Sequence, residues 1–267
     1  MDTVRQYIEA HGAKRPDDIW LIAPDTSIRL TYADLRQGVR EIGNHLDEMG
    51  IAPAARVGFL ADNGGWTTLI YLGVMANGRV IVPLNAVAGD VQLAHVLVHS
   101  DTEVVFVAPD YKARLSGLLE QIPRDISAID LDAVNGPAWP AKAGDSSFRG
   151  APEAVAPGAS DTALLLYTSG STGLPKGAVL SHRAIVAGGR NVVTGHQLTQ
   201  ADRALCVLPI YHINGAMVTV AAPLVSGGSV VMPARFSATA FWPCSPPTIH
   251  RLFSWIRRDC IATPARQ

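Results

Sequence analysis

Cysteine is scarce in this sequence of 267 residues, which contains three: Cys206, Cys244 and Cys260. They include no CxxC pair, and an odd number cannot be fully paired within one chain, so a disulfide framework is not indicated. Disulfides persist mainly in oxidising compartments. The cysteine usage therefore predicts a reducing compartment, the cytoplasm.

Excess charge is also missing, since 22 Lys+Arg against 23 Asp+Glu give a net charge of −1. A chain without excess positive charge lacks the general attraction that nucleic acid or an anionic membrane surface would require. Hydrophobic residues make up 48% of the chain, which is enough to bury a substantial core. We therefore expect a folded protein with small-molecule partners and no nucleic-acid partner.

Long apolar runs are nearly absent as well. The N-terminal residues "MDTVRQYIEAHGAKRP" lack the apolar stretch of a secretion signal and predict a short amphipathic helix. One uncharged run of 22 residues, Ile213 to Ala234, is long enough to cross a bilayer. Because it contains Pro223, Gly227 and Gly228, it is better interpreted as a buried helix, a turn and a strand, and no transmembrane segment is expected.

The apolar pattern that is present alternates between helix and strand. From Thr31 to Gly50, apolar residues recur every three or four positions, which predicts a helix with Thr31 as its N-cap. Short apolar strands then alternate with helices at "RVGFLA" (56–61), "RVIVPL" (79–84), "EVVFVA" (103–108) and "SAIDL" (127–131). This alternation predicts an α/β fold with a parallel, helix-covered sheet over residues 55–132.

Composition also suggests where the chain divides. Residues 136–160 are mostly alanine, proline and glycine, which predicts a surface loop. A second group of strands and helices is expected over residues 161–233, packed against the first. Residues 244–267 contain four arginines and one aspartate and show no sustained period. We therefore predict one partial domain over residues 1–243 and an atypical tail over 244–267, for which a change of reading frame is one hypothesis.

The segment "LLLYTSGSTGLPKGAVLSH" (164–182) passes from an apolar strand into glycines, hydroxyl side chains and one lysine. Glycines allow backbone N–H groups to approach phosphate oxygens without interference from a Cβ atom. Ser169, Ser171 and Thr172 add hydroxyl donors, and Lys176 adds a positive charge. The segment therefore predicts a phosphate-binding loop.

Two alternatives must be compared with this interpretation. The Walker pattern GxxxxGK[ST] is not met, because Pro175 stands five residues after Gly170 and Gly177 follows Lys176, and this disfavours a P-loop kinase. A polar loop without a ligand is the ordinary explanation for an isolated "GSTG". Its position between an apolar strand and a capped helix, together with the lysine, favours phosphate binding.

These residues resemble a known family. "YTSGSTGLPKGAVLSH" is similar to the signature loop of the adenylate-forming enzymes, which include acyl- and aryl-CoA synthetases, firefly luciferase and peptide-synthetase adenylation domains. The resemblance extends through "LTYADL" (30–35), "GVMANGRVIVPLN" (73–85), "LPIYHINGAM" (208–217) and "GGSVVMPARFSATAFW" (227–242). It implies the parallel, helix-covered sheets of the N-terminal domain of those enzymes, incomplete at the C-terminus.

The resemblance also implies a reaction. A carboxylate would attack the α-phosphate of Mg²⁺-bound ATP to give an acyl-adenylate and pyrophosphate, and coenzyme A would then take the acyl group. It implies Lys176 and His212 as catalytic residues, and His212, Asn214 and Gly215 as the substrate pocket. Thr172 is implied as a metal ligand. The implied nucleotide-binding set is Thr168, Ser169, Gly170, Ser171, Thr172, Gly173 and Lys176.

The acid itself is only partly indicated. Amino-acid-activating relatives need a carboxylate to pair with the α-ammonium group of their substrate, because an unpaired buried cation is costly. Residues 207–217 contain no Asp or Glu, which favours a fatty, aryl or small organic acid, with oxalate also open. Three further histidines have ordinary explanations: His95 and His99 as a solvated helix face, and His182 as part of a helix start capped by Ser181.

Some family features are not found in the sequence. The resemblance implies adenine, ribose and lid-lysine motifs that do not occur in these 267 residues. We therefore expect incomplete ligase activity from this chain, with a poorly packed tail from Cys244 onward. A non-catalytic nucleotide-binding remnant is the alternative function.

Overall fold

A computed structural model describes residues 1–140, 156–168 and 173–236, and the backbone of one strand at 255–257. The strands are β1 Ile19–Ala23, β2 Ile28–Thr31, β3 Arg56–Leu60, β4 Val80–Pro83, β5 Thr102–Val107, β6 Ser127–Asp132, β7 Gly136–Pro137, β8 Thr162–Thr168, β9 Lys176–Ser181, β10 Asp202–Leu205, β11 Ser229–Val231 and β12 Trp255–Arg257. The helices are α1 Val4–Lys14, α2 Tyr32–Glu48, α3 Gly65–Ala76, α4 Asp90–His99, α5 Pro109–Leu119, α6 His182–His196, a π-helix at Gly215–Ala221 and α7 Ala222–Ser226.

The larger sheet has seven strands in the order β7-β6-β5-β3-β4-β8-β9. Strands β6, β5, β3 and β4 are parallel to one another, which confirms the α/β interpretation and the parallel sheet predicted for residues 55–132. The buried positions of β3, β4 and β5 are almost continuous, as expected for strands covered on both faces, whereas β6 alternates between exposed and buried positions.

The second group of elements does not form a separate unit. Strand β8 joins the first sheet by pairing in parallel with β4, and β9 returns antiparallel to β8 as the edge strand. Strand β9 was not predicted. Its positions Lys176 to Val179 are exposed, so its sequence lacks the apolar alternation that identifies a half-buried strand.

The smaller sheet has five strands in the order β12-β10-β11-β1-β2. The hairpin β1-β2 near the N-terminus was also missed by the sequence analysis. Strand β10 ends at Leu205, and residues 206–209, although mostly apolar, form a loop. In the tail expected to pack poorly, the backbone of β12 pairs antiparallel with β10, whereas the other tail residues lie outside the described part of the chain.

Helix α2 forms as predicted, with an apolar face and a defined start. The Thr31 hydroxyl accepts from the Asp34 amide at 3.1 Å, and the Asp34 side chain accepts from the Thr31 amide at 2.8 Å, which completes a capping box. Gly50 follows the helix at a φ of 73°, a value that glycine adopts without a steric penalty.

Helix α3 is buried along nearly its whole length because it contacts both sheets. It touches β4 of the larger sheet and β1 and β2 of the smaller one, and every residue except Trp66 is buried. Its packing against α2 depends on small residues: a Cβ atom at Gly73 would lie 2.9 Å from the Ile42 side chain. The two sheets therefore share one core.

The uncharged run Ile213 to Ala234 folds as the predicted sequence of helix, turn and strand. The π-helix and α7 are followed by Gly227, at a φ of 76°, and by β11. Among the described residues, no helix has both the length and the apolar character needed to cross a bilayer.

His182 has a larger structural role than a helix start alone would give it. Ser181 caps α6 as predicted, but the ring of His182 is fully buried, and its Nδ1 atom accepts from the Val4 amide at 3.4 Å. Burial lowers the pKa of His182 from 6.5 to about 4, partly opposed by the charge of Asp161. The histidine is therefore neutral in the folded protein, and it links α6 to α1.

This burial predicts a pH-dependent stability. Between pH 6.5 and about 4 the unfolded chain binds a proton that the folded chain excludes. The free energy of unfolding should therefore be highest above pH 6.5 and fall by about 3 kcal/mol on acidification through this window. Urea unfolding of His182→Gln should show a smaller pH slope than the wild type, with the exposed His212→Gln as control. Equal slopes in all three proteins would contradict this assignment.

Candidate active site

The glycine-rich segment leaves the larger sheet at β8 and returns at β9. Thr168 and Lys176 are paired across the two strands, so they form the base from which the segment projects. Gly173 has a φ of 93°, which a side chain would make unfavourable. Ser169, Gly170, Ser171 and Thr172 lie outside the described residues, and their predicted roles stay predictions.

Lys176 is the first residue of β9 and is exposed. Among the residues that the structure describes, it has no ion-pair partner. An unpaired ammonium group at the base of a glycine-rich segment is available to bind a phosphate oxygen without first breaking a salt bridge. Lys176 is thus an exposed cation at the base of the segment, and its contact with phosphate stays a prediction.

Gly177, which follows the lysine, has a packing reason of its own. It pairs with Tyr167 across the hairpin, and a Cβ atom there would lie 3.2 Å from the tyrosine ring and 3.1 Å from the Leu165 side chain. Both distances are tighter than ordinary van der Waals contact, so a side chain would displace the ring. Lys176 thus provides an exposed cation, and Gly177, which has no side chain, leaves room for the Tyr167 ring.

The loop that contains His212 follows β10 in the smaller sheet. His212 is exposed, its amide donates to the Pro209 carbonyl at 3.0 Å, and its own carbonyl accepts from the Ala216 amide at 3.0 Å. The rings of Tyr211 and His212 lie 4.7 Å apart at an angle of 55°. The backbone of this loop is therefore ordered, while the imidazole faces solvent and is accessible to a ligand.

Asn63 connects the His212 loop to the larger sheet, and the sequence analysis missed it. Its side-chain amide donates to the Leu208 carbonyl at 3.0 Å, and its carbonyl oxygen accepts from the Ile210 amide at 2.9 Å. Both hydrogen-bonding groups of one side chain thus bind the same loop. The available signal was its position in the sequence, because Asn63 lies three residues after the carboxyl end of a buried parallel strand, where α/β proteins place functional residues.

The Asn63 contacts bring the His212 loop to the edge of the larger sheet from which the glycine-rich segment emerges. Strands β3, β4 and β8 are parallel neighbours, so the residues after β3 and after β8 emerge on the same side. With strands spaced about 4.8 Å apart, β3 and β8 are separated by about 10 Å. The His212 loop and the glycine-rich segment therefore adjoin the same edge, although they begin in different sheets.

The other two predicted pocket residues differ in character. Asn214 is exposed and precedes the π-helix without capping it through its side chain. Gly215 is buried, and a Cβ atom there would lie 2.4 Å from the Pro209 carbonyl oxygen. Its glycine therefore has a structural explanation, and its contact with a substrate stays a prediction. Helical segments of the π type often occur beside functional sites.

Cys206 lies beneath this loop and is not a nucleophile in the folded state. It is fully buried, and burial raises the pKa of its thiol to about 12, against the lowering effect of the Thr219 hydroxyl. Its Sγ atom lies 2.9 Å from the Thr219 hydroxyl and 3.2 Å from the Leu208 carbonyl. The thiol therefore packs as a small apolar group that supports the loop.

A cavity of about 240 Å³ opens where β3 and β5 end, at the point where the strand order reverses. Asp62 accepts there from the Tyr111 hydroxyl at 2.8 Å and from Arg235 at 2.7 Å. The lining of the cavity also includes Asp25, Asp110 and Asp132. This concentration of carboxylates makes the cavity unfavourable for an anionic substrate, and His212 is not among its lining residues.

Magnesium has no dedicated protein cage in the described part of the chain, where no group of three or more His, Cys, Asp or Glu side chains could hold a metal. Mg²⁺ that accompanies a nucleotide needs few protein ligands, because phosphate oxygens and water complete its octahedron. The predicted ligand Thr172 lies outside the described residues. The magnesium expectation therefore stays a prediction.

A family model and the similar curated proteins indicate the same family for this chain. A family model described as "AMP-binding enzyme" matches residues 8–249, which extends beyond the end at Trp242 that the sequence resemblance indicated. The sulfoacetate–CoA ligase of Cupriavidus necator is 42% identical over 243 residues, covering 90% of this chain and 47% of that protein. The oxalate–CoA ligase of Arabidopsis thaliana is 28% identical over 265 residues, covering 94% of this chain and 51% of that protein.

The solved structures agree on the fold. ATP-bound MatB from Rhodopseudomonas palustris superposes with a TM-score of 0.74 at 23% identity, covering 89% of this chain and 46% of that one. At this identity the match supports the fold alone. The chain spans about half the length of the curated relatives it matches.

The Asn63 contacts generate a test that does not depend on a ligand. Asn63→Ala removes the hydrogen bonds with Leu208 and Ile210 and the 3.7 Å contact of the Asn63 amide with Cys206 Sγ, whereas Asn63→Asp keeps an acceptor for the Ile210 amide and loses the donor to Leu208. We expect the alanine variant to loosen the loop and raise the alkylation rate of Cys206 at pH 8 by about tenfold, with the aspartate variant between it and the wild type.

Mass spectrometry should assign the modified cysteine, since the chain also contains Cys244 and Cys260. Asn135→Ala, in the exposed turn after β6, provides an asparagine control whose side chain donates to Asp132. An Asn63→Ala protein whose Cys206 stays as protected as in the wild type would show that Asn63 does not order the loop.

Proposed function

Because the chain belongs to the AMP-binding enzyme family, we propose that it binds the phosphates of ATP and activates a carboxylic acid as an AMP-forming acid–CoA ligase. The main supporting observation is the exposed Lys176 at the base of the glycine-rich segment, which has no ion-pair partner among the described residues. It lies at the sheet edge to which Asn63 also binds the His212 loop. The proposal assigns the phosphates to Lys176 and the acid to His212, and both residues adjoin this edge.

Lys176 would act on the phosphate chain. Attack of a carboxylate on the α-phosphate brings two anions together and leaves charge on pyrophosphate. A cation that binds the β- and γ-phosphates reduces the repulsion in the ground state and stabilises the charge that develops on the leaving group. Backbone N–H groups of the glycine-rich segment would supply further donors. Magnesium would arrive with ATP, and it would supply charge neutralisation on the phosphates.

His212 would act on the acid. Its backbone is held by hydrogen bonds on both sides, and its exposed ring can donate to a carboxylate oxygen. Such a contact would orient the acid without chemistry at the ring, which makes the apparent affinity for the acid the property to measure. Coenzyme A would be the acceptor of the acyl group.

The acid is proposed to lack an α-amino group. No carboxylate occurs in residues 207–217 to pair with such an amine. The similar proteins include ligases named for sulfoacetate and for oxalate, both of which have a second acidic group. Short acids with two acidic groups are therefore the first substrates to test, followed by aryl and fatty acids.

The proposal is tested by titrating the 267-residue chain with MgATP in a calorimeter and by measuring acid-dependent ATP–pyrophosphate exchange. Saturable MgATP binding together with exchange that requires an acid supports the ligase. Saturable binding without exchange for any acid favours the non-catalytic nucleotide-binding alternative. Absence of MgATP binding contradicts both.

Lys176 gives the sharpest variant. Lys176→Ala should weaken MgATP binding by about tenfold or more, since it removes one charge-assisted contact of about 1.5–3 kcal/mol. Lys176→Arg keeps the charge and should retain part of the affinity. Lys14→Ala, at an exposed lysine at the end of α1, is the matched control and should bind as the wild type does. An unchanged affinity in Lys176→Ala would remove this residue from the site.

A further inference from the structure

Two histidines of α4 contact both ends of the glycine-rich hairpin. His95 and His99 are one helical turn apart, so they share a face, and their ring centroids are 5.2 Å apart. The sequence analysis interpreted this face as solvated. His99 is exposed, but His95 is half-buried, and both rings have partners on β8 or just before β9. The interpretation as a merely solvated face is therefore wrong.

The first contact is with the end of the segment. The Nε2 atom of His95 lies 3.1 Å from the Pro175 carbonyl oxygen, immediately before Lys176. A carbonyl oxygen only accepts, so this contact requires a hydrogen on Nε2. The backbone that presents the proposed phosphate-binding lysine is thus bound from the side by a helix outside the hairpin.

The second contact is with the start of the segment. The Nδ1 atom of His99 lies 2.7 Å from the Tyr167 hydroxyl, and the two rings meet edge to face at 5.7 Å and 89°. Tyr167 immediately precedes Thr168, and its ring lies against Gly177. One helix therefore binds a side chain at the entry and a carbonyl at the exit of the same hairpin.

These contacts restrict the tilt of the hairpin, which the pairing of its own two strands does not fix. Pairing of Thr168 with Lys176 sets the separation of the two strands, but β9 is an edge strand with β8 as its neighbour on one side only. The tilt of the hairpin relative to β4 therefore depends on contacts with other elements. Helix α4, which follows β4, supplies one such contact to each end.

We infer that His95 and His99 are positioning residues that set the direction of the two ends of the hairpin, at Tyr167 and at Pro175, and thereby the affinity of Lys176 for nucleotide phosphates. This inference rests on the proposed function for its ligand, while the positioning itself is a property of the protein alone. Precise placement matters because a misplacement of about 1 Å at a reacting group can cost about 100-fold in rate.

A metal site is the competing explanation for two histidines at this spacing. The contact with Pro175 occupies Nε2 of His95, and that of Tyr167 occupies Nδ1 of His99. The described residues provide no group of three or more metal-binding side chains. The hydrogen bonds therefore explain the pair without a metal.

The chain offers isosteric variants for the test. The amide of Gln can replace the Nε2 donor of His95, and that of Asn can replace Nδ1 of His99, whereas alanine removes each contact. Val98→Ala, at an exposed position on the same helix, controls for changes in helix stability. The primary measurement is amide hydrogen exchange at residues 173–177, from milliseconds to minutes, on the full chain without ligand.

We expect His95→Ala and His99→Ala to raise the exchange rate at these residues by about two- to tenfold, the factor that one ordinary hydrogen bond supplies. His95→Gln, His99→Asn and Val98→Ala should exchange nearly as the wild type does. Exchange that is unchanged in both alanine variants, or that rises equally in the Gln and Asn variants, would overturn the inference.

A parallel MgATP titration separates this inference from the proposed function. If the wild type binds MgATP, the two alanine variants should bind it at least about twofold more weakly, and the Gln and Asn variants should recover most of the affinity. Unaltered affinity in the alanine variants would overturn the inference while leaving the proposed function standing. Failure of the wild type to bind MgATP would contradict the proposed function, while the exchange data would still decide whether the histidines position the hairpin.

Discussion

The burial of α3 between two sheets is the constraint on which the rest of the structure depends. Eleven of its twelve residues are buried, so neither sheet can move relative to α3 without exposing apolar surface to water. Gly73 allows the helix to approach Ile42 of α2 closely, and Asn77 donates to the Val39 carbonyl at 2.8 Å just beyond its end. The helix thus fixes the smaller sheet relative to the larger one.

The same helix sets the position of the candidate active site. Residues 61–64 form the short connection between β3 and α3, and the Thr67 hydroxyl donates back to the Asp62 carbonyl at 2.8 Å. Asn63 is therefore held at both of its ends by buried elements. Its two hydrogen bonds transmit that rigidity to the His212 loop, which begins in the other sheet. The candidate site includes residues that follow strands of both sheets, and the buried helix α3 fixes their relative position.

The hairpin that holds the glycine-rich segment is contacted at both ends by a neighbouring helix. Among its described residues, Gly173 has open space around its Cα atom, Gly177 packs against Tyr167, and Lys176 is exposed. His95 and His99 of α4 contact the two ends of the hairpin at Pro175 and Tyr167. The contacts that we propose to orient the hairpin therefore lie on a neighbouring helix and leave the Lys176 side chain exposed.

The sequence by itself determined the features that depend on local pattern. The period of apolar residues identified α2, α3 and the parallel strands β3 to β6, because burial on one face or on both leaves a direct signature in the order of residues. Glycine, hydroxyl and lysine residues predict phosphate binding at the segment after β8 for the same local reason, and that binding stays a prediction. Only the tertiary structure decided the rest. The exposed strand β9 has no apolar pattern, and Asn63, His95 and His99 acquire their roles through contacts with residues far away in the chain. A hydrogen bond between distant residues depends on how the elements pack, and this is not encoded in the neighbourhood of either partner.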